Sequence, residues 1–443
     1  MNTFLLTNGF VVTEKEIIKA HILIENQRIS SISNVQPKVK KNQCQVIDVE
    51  GMYIFPGIID THVHFREPGL THKATFVDES IAAVAGGVTS VIDMPNTIPY
   101  ANSLVHISEK KRIAKKNSLV NTGFYIGADK RNIQEIVALT NKDIAGIKVF
   151  IGSSTGNVIL NDDTSLASLF AEAKLPIVVH AEDDNIIQQN LIKYKELYHN
   201  DIPFRCHSEI RNEEACFSAT QKVIALAKKY GSQLHILHIS TAKELELFDT
   251  EKFASITAEV CLPHLWFSDE DYTSLQGKIK CNPSVKSKND REALRKALHS
   301  DKIFTIGTDH APHTLDEKNK SYLDCPSGIP FIQHSLISIL ELERKGYLTL
   351  QHIVQKMAQQ PALRFHIMDR GFIKPGYFAD LAIIDTNASH IIKPSDILYK
   401  CGWSPLLGER FTSSVVHTFV NGNHVFDHGK IFTEHKGLLL EYY

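Results

Sequence analysis

The stretch LPIVVHA at residues 175–181 is an apolar run with a histidine as its next-to-last residue, and seven similar runs lie elsewhere in the chain. Such runs are typical of parallel strands that are covered on both faces. Helical stretches such as residues 208–231 separate them. Eight strands, each followed by a helix or loop, predict an α/β fold of the (β/α)8 TIM-barrel type. An open doubly wound sheet is the alternative, but the Gly-rich nucleotide turn that it normally carries is missing. The other seven runs are YIFPGIID (53–60), VTSVIDM (88–94), NTGFYIGA (121–128), AGIKVFI (145–151), LHILHIS (234–240), ASITAEVC (254–261) and IFTIGTD (303–309).

Both ends of the chain have a different pattern, with short strands joined by turns such as Asn8-Gly9 and Asn421-Gly422. We therefore predict that residues 1–53 and 372–443 combine into one small β-domain, and that residues 54–371 form the barrel. The predicted terminal strands lie in FLLTNGFVV (4–12), AHILIENQRISSIS (20–33), CQVIDVEGMYIF (44–55), DLAIIDTN (380–387), SSVVHTFVNGNHVF (413–426) and GKIF (429–432).

Composition narrows the class of protein. The chain has 443 residues and a formal net charge of -2, so charge gives no case for binding nucleic acid or an anionic membrane. No long uncharged apolar stretch predicts a membrane span, and the first twenty residues do not resemble a signal peptide. The seven cysteines are scattered and include no CxxC pair, which is typical of a reducing compartment. We expect a cytoplasmic enzyme.

Two histidines, His62 and His64, follow the first predicted barrel strand. Side chains two residues apart in an extended segment point to the same side, so both imidazoles can bind one ion. An HxH pair alone is a weak signal. The prediction of a metal site becomes stronger because other predicted strands carry metal-binding residue types at the same end, where barrels place their catalytic groups. These further residues are Lys148, His180, His238 and Asp309.

Lys148 lies inside an apolar strand, where a charged amine is costly unless it is modified or paired. Burial lowers the pKa of a lysine and leaves a neutral, nucleophilic amine, which can add carbon dioxide to give a carbamate. The six side chains then suit two Zn²⁺ ions per subunit, bridged by carbamylated Lys148 and by a hydroxide. We predict Asp309 as the catalytic general base and acid, and Asp60 as a group that orients the histidine pair.

Three stretches resemble the amidohydrolase superfamily, and within it the class I dihydroorotases. The resemblance covers nearly the whole chain. It implies a distorted barrel with a small β-sandwich domain formed by both termini. It also implies the reversible cyclisation of N-carbamoyl-L-aspartate to L-dihydroorotate in pyrimidine biosynthesis. The stretches are DTHVHFREPG (60–69), GGVTSVIDMPNT (86–97) and GTDHAPHT (307–314).

The substrate of that reaction carries a carboxylate, for which a guanidinium is the natural bidentate partner. Arg66, two residues after His64, is therefore a predicted substrate contact. By resemblance, Asn96 and His313 also contact the carboxylate, and Asn282 contacts the ring.

Other stretches depart from the dihydroorotase pattern. CLPHLWF (261–267) looks more like an allantoinase, and NPSV (282–285) and CPSGIPFIQHSL (325–336) also differ from the usual sequences. The segment SSTGNV (153–158) is interpreted either as a mobile loop over the site or as an ordinary exposed turn.

Two other functions stay open. One is an allantoinase or another cyclic ureide hydrolase. The other is a non-catalytic, dihydroorotase-like subunit that scaffolds aspartate transcarbamoylase, although the complete ligand set argues against it. We expect a small-molecule substrate, a homodimer and, as an additional partner, aspartate transcarbamoylase.

Overall fold

A computed structural model of the protein describes residues 3–40, 42–140, 143–152, 160, 162–248 and 255–443. The predicted loop at 153–158 lies outside the described residues. The chain begins with five strands that belong to a sheet made from both termini. These are β1 (Thr3–Val12), β2 (Ile17–Glu25), β3 (Arg28–Ser33), β4 (Gln45–Asp48) and β5 (Tyr53–Pro56).

The next eight strands form the barrel, and each pairs in parallel with its neighbour in chain order. The first and last of them meet through a bridge between Val63 and His310, where the backbone N–H of His64 donates to the His310 carbonyl at 2.8 Å. The barrel is therefore nearly closed, and the predicted fold is confirmed. Its strands are β6 (Ile58–Val63), β7 (Val88–Asp93), β8 (Asn121–Gly127), β9 (Gly146–Ile151), β10 (Ile177–Ala181), β11 (Leu234–Ile236), β12 (Ile256–Cys261) and β13 (Thr305–Gly307).

The helices lie mostly between these strands. The longest, α7, begins after Asn212, whose side chain accepts a hydrogen bond from the Ala215 N–H, and ends at Gly231, whose φ is 72°. The α-helices are α1 (Phe76–Ala85), α2 (Leu104–Asn117), α3 (Ile133–Val137), α4 (Asp163–Glu172), α5 (Asp184–Tyr198), α6 (His207–Ile210), α7 (Glu213–Tyr230), α8 (Leu262–Trp266), α9 (Tyr272–Leu275), α10 (Lys288–Lys296), α11 (Leu315–Lys318), α12 (Ser335–Arg344), α13 (Leu350–Val354) and α14 (Gln360–Arg364).

Shorter helical turns complete the connections. A π-helical turn, Gln355–Gln359, joins α13 to α14. The 3₁₀ turns are Phe204–Cys206, Glu244–Leu247, Asp269–Asp271, Gln276–Ile279, Ala297–His299, Ile332–His334 and Pro394–Asp396.

The last strands of the chain return to the sheet of the first five. In this nine-stranded sheet the order is β19-β18-β17-β14-β5-β1-β2-β3, and β4 pairs with β1. The sheet has its own apolar cluster, which includes Leu6, Ile22, Ile54, Ile383 and Phe419. The two chain ends therefore form one β-structure beside the barrel, as predicted. The C-terminal strands are β14 (Leu381–Asp385), β15 (His390–Ile391), β16 (Arg410–Phe411), β17 (Ser414–Val420), β18 (Asn423–Asp427) and β19 (Lys430–Ile431), and β15 pairs with β16 apart from both larger sheets.

The run at residues 53–60, predicted as one strand, is divided between two sheets. Residues 53–56 pair with β1 and β14 in the terminal sheet, and the barrel strand begins only at Ile58. The chain crosses at Gly57, where an added Cβ atom would lie 2.1 Å from Oγ1 of Thr89. Because both sheets bury their strands, the apolar run shows no break at the crossing. The predicted domain boundaries, 1–53 with 372–443 and 54–371, stay a prediction.

Within the described ranges, we find no helix with the length and apolar character needed to cross a membrane.

Candidate metal centre

The carboxyl ends of the first and last barrel strands bring three predicted ligands together. His62 lies in β6, His64 follows that strand, and Asp309 follows β13. The Nε2 atom of His62 lies 3.2 Å from Oδ1 of Asp309, and Nε2 of His64 lies 3.1 Å from the same oxygen. All three side chains are almost completely buried. Their ligand atoms are close enough together to share one ion.

The opposite ring nitrogens of the two histidines are held by hydrogen-bond acceptors. Nδ1 of His62 lies 2.7 Å from Oε1 of Glu259, and Nδ1 of His64 lies 2.6 Å from Oδ1 of Asn96. Both partners are oxygens that accept, so the Nδ1–H of each ring can donate to its partner, and Nε2 of each ring is directed toward Oδ1 of Asp309. This is the arrangement that supporting groups give to metal-binding histidines.

A second histidine pair lies on neighbouring strands of the barrel. Nδ1 of His180, in β10, lies 2.9 Å from Nε2 of His238, which follows β11. Nε2 of His180 donates to Oε2 of Glu182 at 2.9 Å, and Arg211 forms several hydrogen bonds with the same carboxylate. His238 has a φ of 38°, a backbone conformation that is uncommon for residues other than glycine. Two ring nitrogens therefore face each other in the pocket.

Lys148, in β9, is 1% exposed, and its Nζ has no hydrogen-bond partner among the described residues. The Nζ atom lies 4.4 Å from the ring centroid of Phe150. Burial lowers the pKa of the amine to about 7, despite the nearby carboxylates of Asp309 and Glu259. A neutral amine in this position has the reactivity that carbamate formation needs.

Nearby charged groups and burial also shift the pKa values of His62 and His64. Burial alone would lower the pKa of His62, but Asp309 and Glu259 raise it to about 9. Burial, together with the positive charge of Arg66, lowers the pKa of His64 to about 4. Burial would raise the pKa of Asp309, but the two imidazoles hold it well below its ordinary value. Asp309 is therefore ionised at neutral pH.

These donors fit a divalent metal. Imidazole nitrogens and a carboxylate are zinc ligands, and the amine of Lys148 and Nδ1 of His238 are buried polar atoms without a partner among the described residues. Asp60, predicted to orient the histidine pair, accepts from the backbone N–H of His62 at 3.1 Å and from the Thr308 hydroxyl at 2.5 Å. It therefore holds the backbone, whereas Glu259 and Asn96 hold the imidazole rings.

One pocket contains all six predicted metal ligands together with Arg66, Asn96 and Asn282. Oδ1 of Asn282 is buried and has no hydrogen-bond partner among the described residues. His313 does not line this pocket. Its Nδ1 lies 2.9 Å from Nζ of Lys73, its Nε2 lies 3.0 Å from the Ser327 carbonyl oxygen, and its ring contacts Arg66 from outside the pocket.

The sequence prediction missed Glu259, Glu182 and Arg211. A signal for Glu259 was present, because a carboxylate inside the apolar run ASITAEVC is as unusual as the lysine inside AGIKVFI. Glu182 directly follows the run that contains His180. Arg211 lies after a short helix and carried no sequence signal.

Comparison with known proteins places the chain among metabolic hydrolases. A model described as "Amidohydrolase family" matches residues 53–425. The chain is 31% identical to a dihydroorotase of Methanosphaera stadtmanae over 424 residues, which cover 96% of either protein. It is also 31% identical to an allantoinase of Desulfitobacterium hafniense over 440 residues, 97% of this chain and 96% of the relative. Among solved structures, the L-hydantoinase of Arthrobacter aurescens superimposes with a TM-score of 0.94 over 100% of both chains at 27% identity.

Proposed function

The chain belongs to the amidohydrolase family and is a cyclic amidohydrolase, and from this premise we propose that it is a dihydroorotase. It interconverts N-carbamoyl-L-aspartate and L-dihydroorotate. In the direction of hydrolysis, water adds to the ring carbonyl carbon, the ring C–N bond breaks, and the departing nitrogen takes a proton. Relatives named dihydroorotase, such as the 33% identical protein of Methanothermobacter thermautotrophicus, support this assignment.

Arg66 is the observation that carries the proposal. Its side chain is 3% exposed and lines the pocket of the metal ligands. Its Nε donates to the Pro312 carbonyl at 3.1 Å, and no carboxylate of the described residues forms an ion pair with the guanidinium. A buried cation is costly without a counter-charge. A substrate carboxylate supplies that charge, and dihydroorotate and carbamoyl-aspartate both carry one.

The side-chain amides of Asn96 and Asn282 are also suited to binding this substrate. Since Oδ1 of Asn96 accepts from His64, its Nδ2 is left to donate to a carboxylate. The unpaired Oδ1 of Asn282 can accept an N–H of the ring. His313 stays a predicted carboxylate contact, and in its present position it supports the guanidinium of Arg66.

The metal ligands fall into two groups. His62, His64 and Asp309 would hold one ion, His180 and His238 would hold a second, and carbamylated Lys148 would supply a ligand to both. Bound zinc would lower the pKa of water and polarise the carbonyl group. The ionised Asp309 takes the proton of the attacking water and passes it to the ring nitrogen. Glu259 and Glu182 keep the histidines in the tautomers that bind metal.

The decisive experiment compares substrates. Purified, zinc-loaded protein is assayed in both directions with carbamoyl-aspartate and dihydroorotate, and in parallel with allantoin and hydantoin. We expect kcat/KM to be highest for the carboxylated pair. Activity on allantoin or hydantoin without turnover of dihydroorotate would refute the assignment. Absence of all activity in fully metallated protein would favour the scaffold alternative.

An allantoinase is the second candidate. The allantoinase-like stretch at 261–267 and the allantoinase of Desulfitobacterium hafniense favour it. In the structure, Nε2 of His264, which belongs to that stretch, lies 3.0 Å from the carbonyl oxygen of Pro283. Pro283 directly follows Asn282 in the sequence. Allantoin has no carboxylate, so in that complex Arg66 would have only the more distant carboxylates such as Asp309 and Asp93 and no directly paired one. For this reason the dihydroorotase assignment is preferred.

Three further assignments accompany the proposal. We place the enzyme in the cytoplasm, as a homodimer, with aspartate transcarbamoylase as an additional partner. Size-exclusion chromatography with light scattering, alone and with the transcarbamoylase added, tests both associations.

A further inference from the structure

A second group of metal-binding side chains lies outside the barrel, in the terminal sheet. We call it the terminal histidine cluster, and it consists of His417, His424, Asp427 and His428. Nδ1 of His417 lies 3.1 Å from Nε2 of His424 and 3.2 Å from Oδ1 of Asp427. Nδ1 of His428 lies 2.8 Å from the same Asp427 oxygen. The ligand atoms of His417, His424 and Asp427 are thus close enough together to share one ion, and His428 contacts the carboxylate.

A β-bulge brings these residues to one face. His417 in β17 pairs with Asp427 in β18, and Phe419 pairs with His424, so β18 has one extra residue between the two pairs. Residues three apart in a regular strand point to opposite faces. Because of the bulge, His424 and Asp427 instead point to the same face.

Aromatic neighbours hold the ring of His424 in this position. Phe419 stacks on it with ring centroids 4.5 Å apart and an interplanar angle of 7°, and Phe432 lies 5.9 Å away. His428 stands at the turn into β19 with a φ of 45°, and its backbone N–H donates to the Val416 carbonyl at 2.8 Å. The orientation of the cluster is therefore set by packing and by the backbone.

The separations between the ligand atoms also match the spacing that a tetrahedral ion requires. Zinc binds imidazole nitrogen and carboxylate oxygen at about 2.0–2.2 Å, which places neighbouring ligands of a tetrahedron about 3.3 Å apart. Nδ1 of His417 faces a nitrogen and a carboxylate oxygen at nearly this spacing, and one ring nitrogen cannot satisfy both partners with a single proton.

The donor set of the cluster agrees with this interpretation. Two imidazoles and the carboxylate of Asp427 offer their ligand atoms at one place, and zinc takes imidazole nitrogen and carboxylate oxygen as ligands.

We propose that His417, His424 and Asp427 bind one divalent cation of the zinc type, and that His428 orients the carboxylate of Asp427. The fourth position faces solvent, since the side chains of Asp427 and His428 are 39% and 60% exposed. The ion is therefore exchangeable with the medium. It links β17 to β18 and fixes the C-terminal hairpin, and it takes no part in ring opening.

The test uses Zn²⁺ and Co²⁺ as probes on the full-length enzyme. Bound metal per chain is measured after equilibrium dialysis for the wild type, His424→Gln and Asp427→Asn. His435→Gln is the matched control, because His435 is an exposed histidine near the cluster in sequence but outside it. We expect both cluster variants to bind one equivalent less than the wild type and the control, and to lose a tetrahedral Co²⁺ absorption band. Dihydroorotase activity should stay unchanged.

A thermal measurement separates metal binding from a structural role. Added Zn²⁺ should raise the unfolding temperature of the wild type and of His435→Gln more than that of His424→Gln. Equal metal content in all four proteins would overturn the proposal, and so would a loss that His435→Gln shares. Because the comparison concerns the difference in stoichiometry between variants, failure of the dihydroorotase assignment would leave its result intact.

Discussion

The carboxylate of Glu259 lies 2.7 Å from Nδ1 of His62, on the side of the ring that faces away from Asp309. This contact orients the ring of His62, and it predicts the effect of removing the charge of Glu259. In Glu259→Gln we expect zinc affinity to fall roughly 10- to 100-fold. Chelator competition followed by metal analysis measures the change. The control, Glu109→Gln, alters an exposed carboxylate of α2 and should retain its zinc. Unchanged affinity in Glu259→Gln would show that the contact does not support the metal.

The buried amine of Lys148 predicts a pH dependence for carbamate formation. The folded pKa is lowered from 10.5 to about 7, so the neutral, reactive form is scarce below that pH and dominant above it. We expect metal-depleted protein supplied with ¹³C-bicarbonate to show a carbamate resonance that grows between about pH 6 and about pH 8.

Lys148→Arg is the matched variant for that measurement. It keeps a cation of similar length but has no amine that can be deprotonated in this range. The resonance should be absent from it at every pH. A signal of equal size in the variant would assign the carbamate to another lysine.

Arg66 should distinguish charged from neutral substrates. Leaving a bound carboxylate without its cation costs about 2–5 kcal/mol, a factor of roughly 30 to several thousand. In Arg66→Gln we therefore expect kcat/KM for dihydroorotate to fall by that factor, while turnover of a neutral cyclic ureide falls much less. Equal losses for both substrates would mean that Arg66 serves the fold or the metal centre, and that the carboxylate binds elsewhere.

The ion pair between Glu182 and Arg211 predicts a loss of stability when it is broken. Both side chains are almost fully buried. Arg211→Met leaves the carboxylate without its main partner, and we expect the free energy of unfolding to fall by about 3–5 kcal/mol. Denaturant unfolding measures it. Arg112→Met, which breaks an exposed pair with Glu109, should cause no measurable change.

The same pair makes stability depend on pH in the acid range. Burial would raise the pKa of Glu182, but Arg211 and His180 hold it well below its ordinary value. The stabilisation is therefore present above the unfolded pKa and is lost as pH falls toward the folded one. Glu182→Gln should lose less stability on acidification than the wild type, and parallel curves for the two proteins would contradict this.

Much of the fold was predictable, and so was the grouping of the candidate metal ligands in one pocket, because both follow from strand patterns. The apolar runs fixed the number of barrel strands, and their ends carried His180, His238 and Asp309. The crossing at Gly57 was not predictable, since both sheets bury the run.

The positions of supporting groups were harder to predict. Asn96 was predicted to contact substrate, which stays a prediction, and the additional contact of its Oδ1 with His64 was not foreseen. Which atom of a side chain faces the metal depends on contacts between strands far apart in sequence, as with His62 and Glu259. Spacing along the chain contains no information of that kind.

The bridge between Val63 and His310 joins the first and last strands of the barrel at only one end. His62 and His64 lie in one of the two bridged segments, and Asp309 lies in the other. An ion shared by these three residues would therefore close a chain loop from residue 64 to residue 309, which contains almost the entire barrel. Loop closure of this length removes conformational entropy from the unfolded chain. Loss of the shared ion would restore that entropy to the unfolded chain, so metal supply would change the stability of the enzyme as well as its turnover.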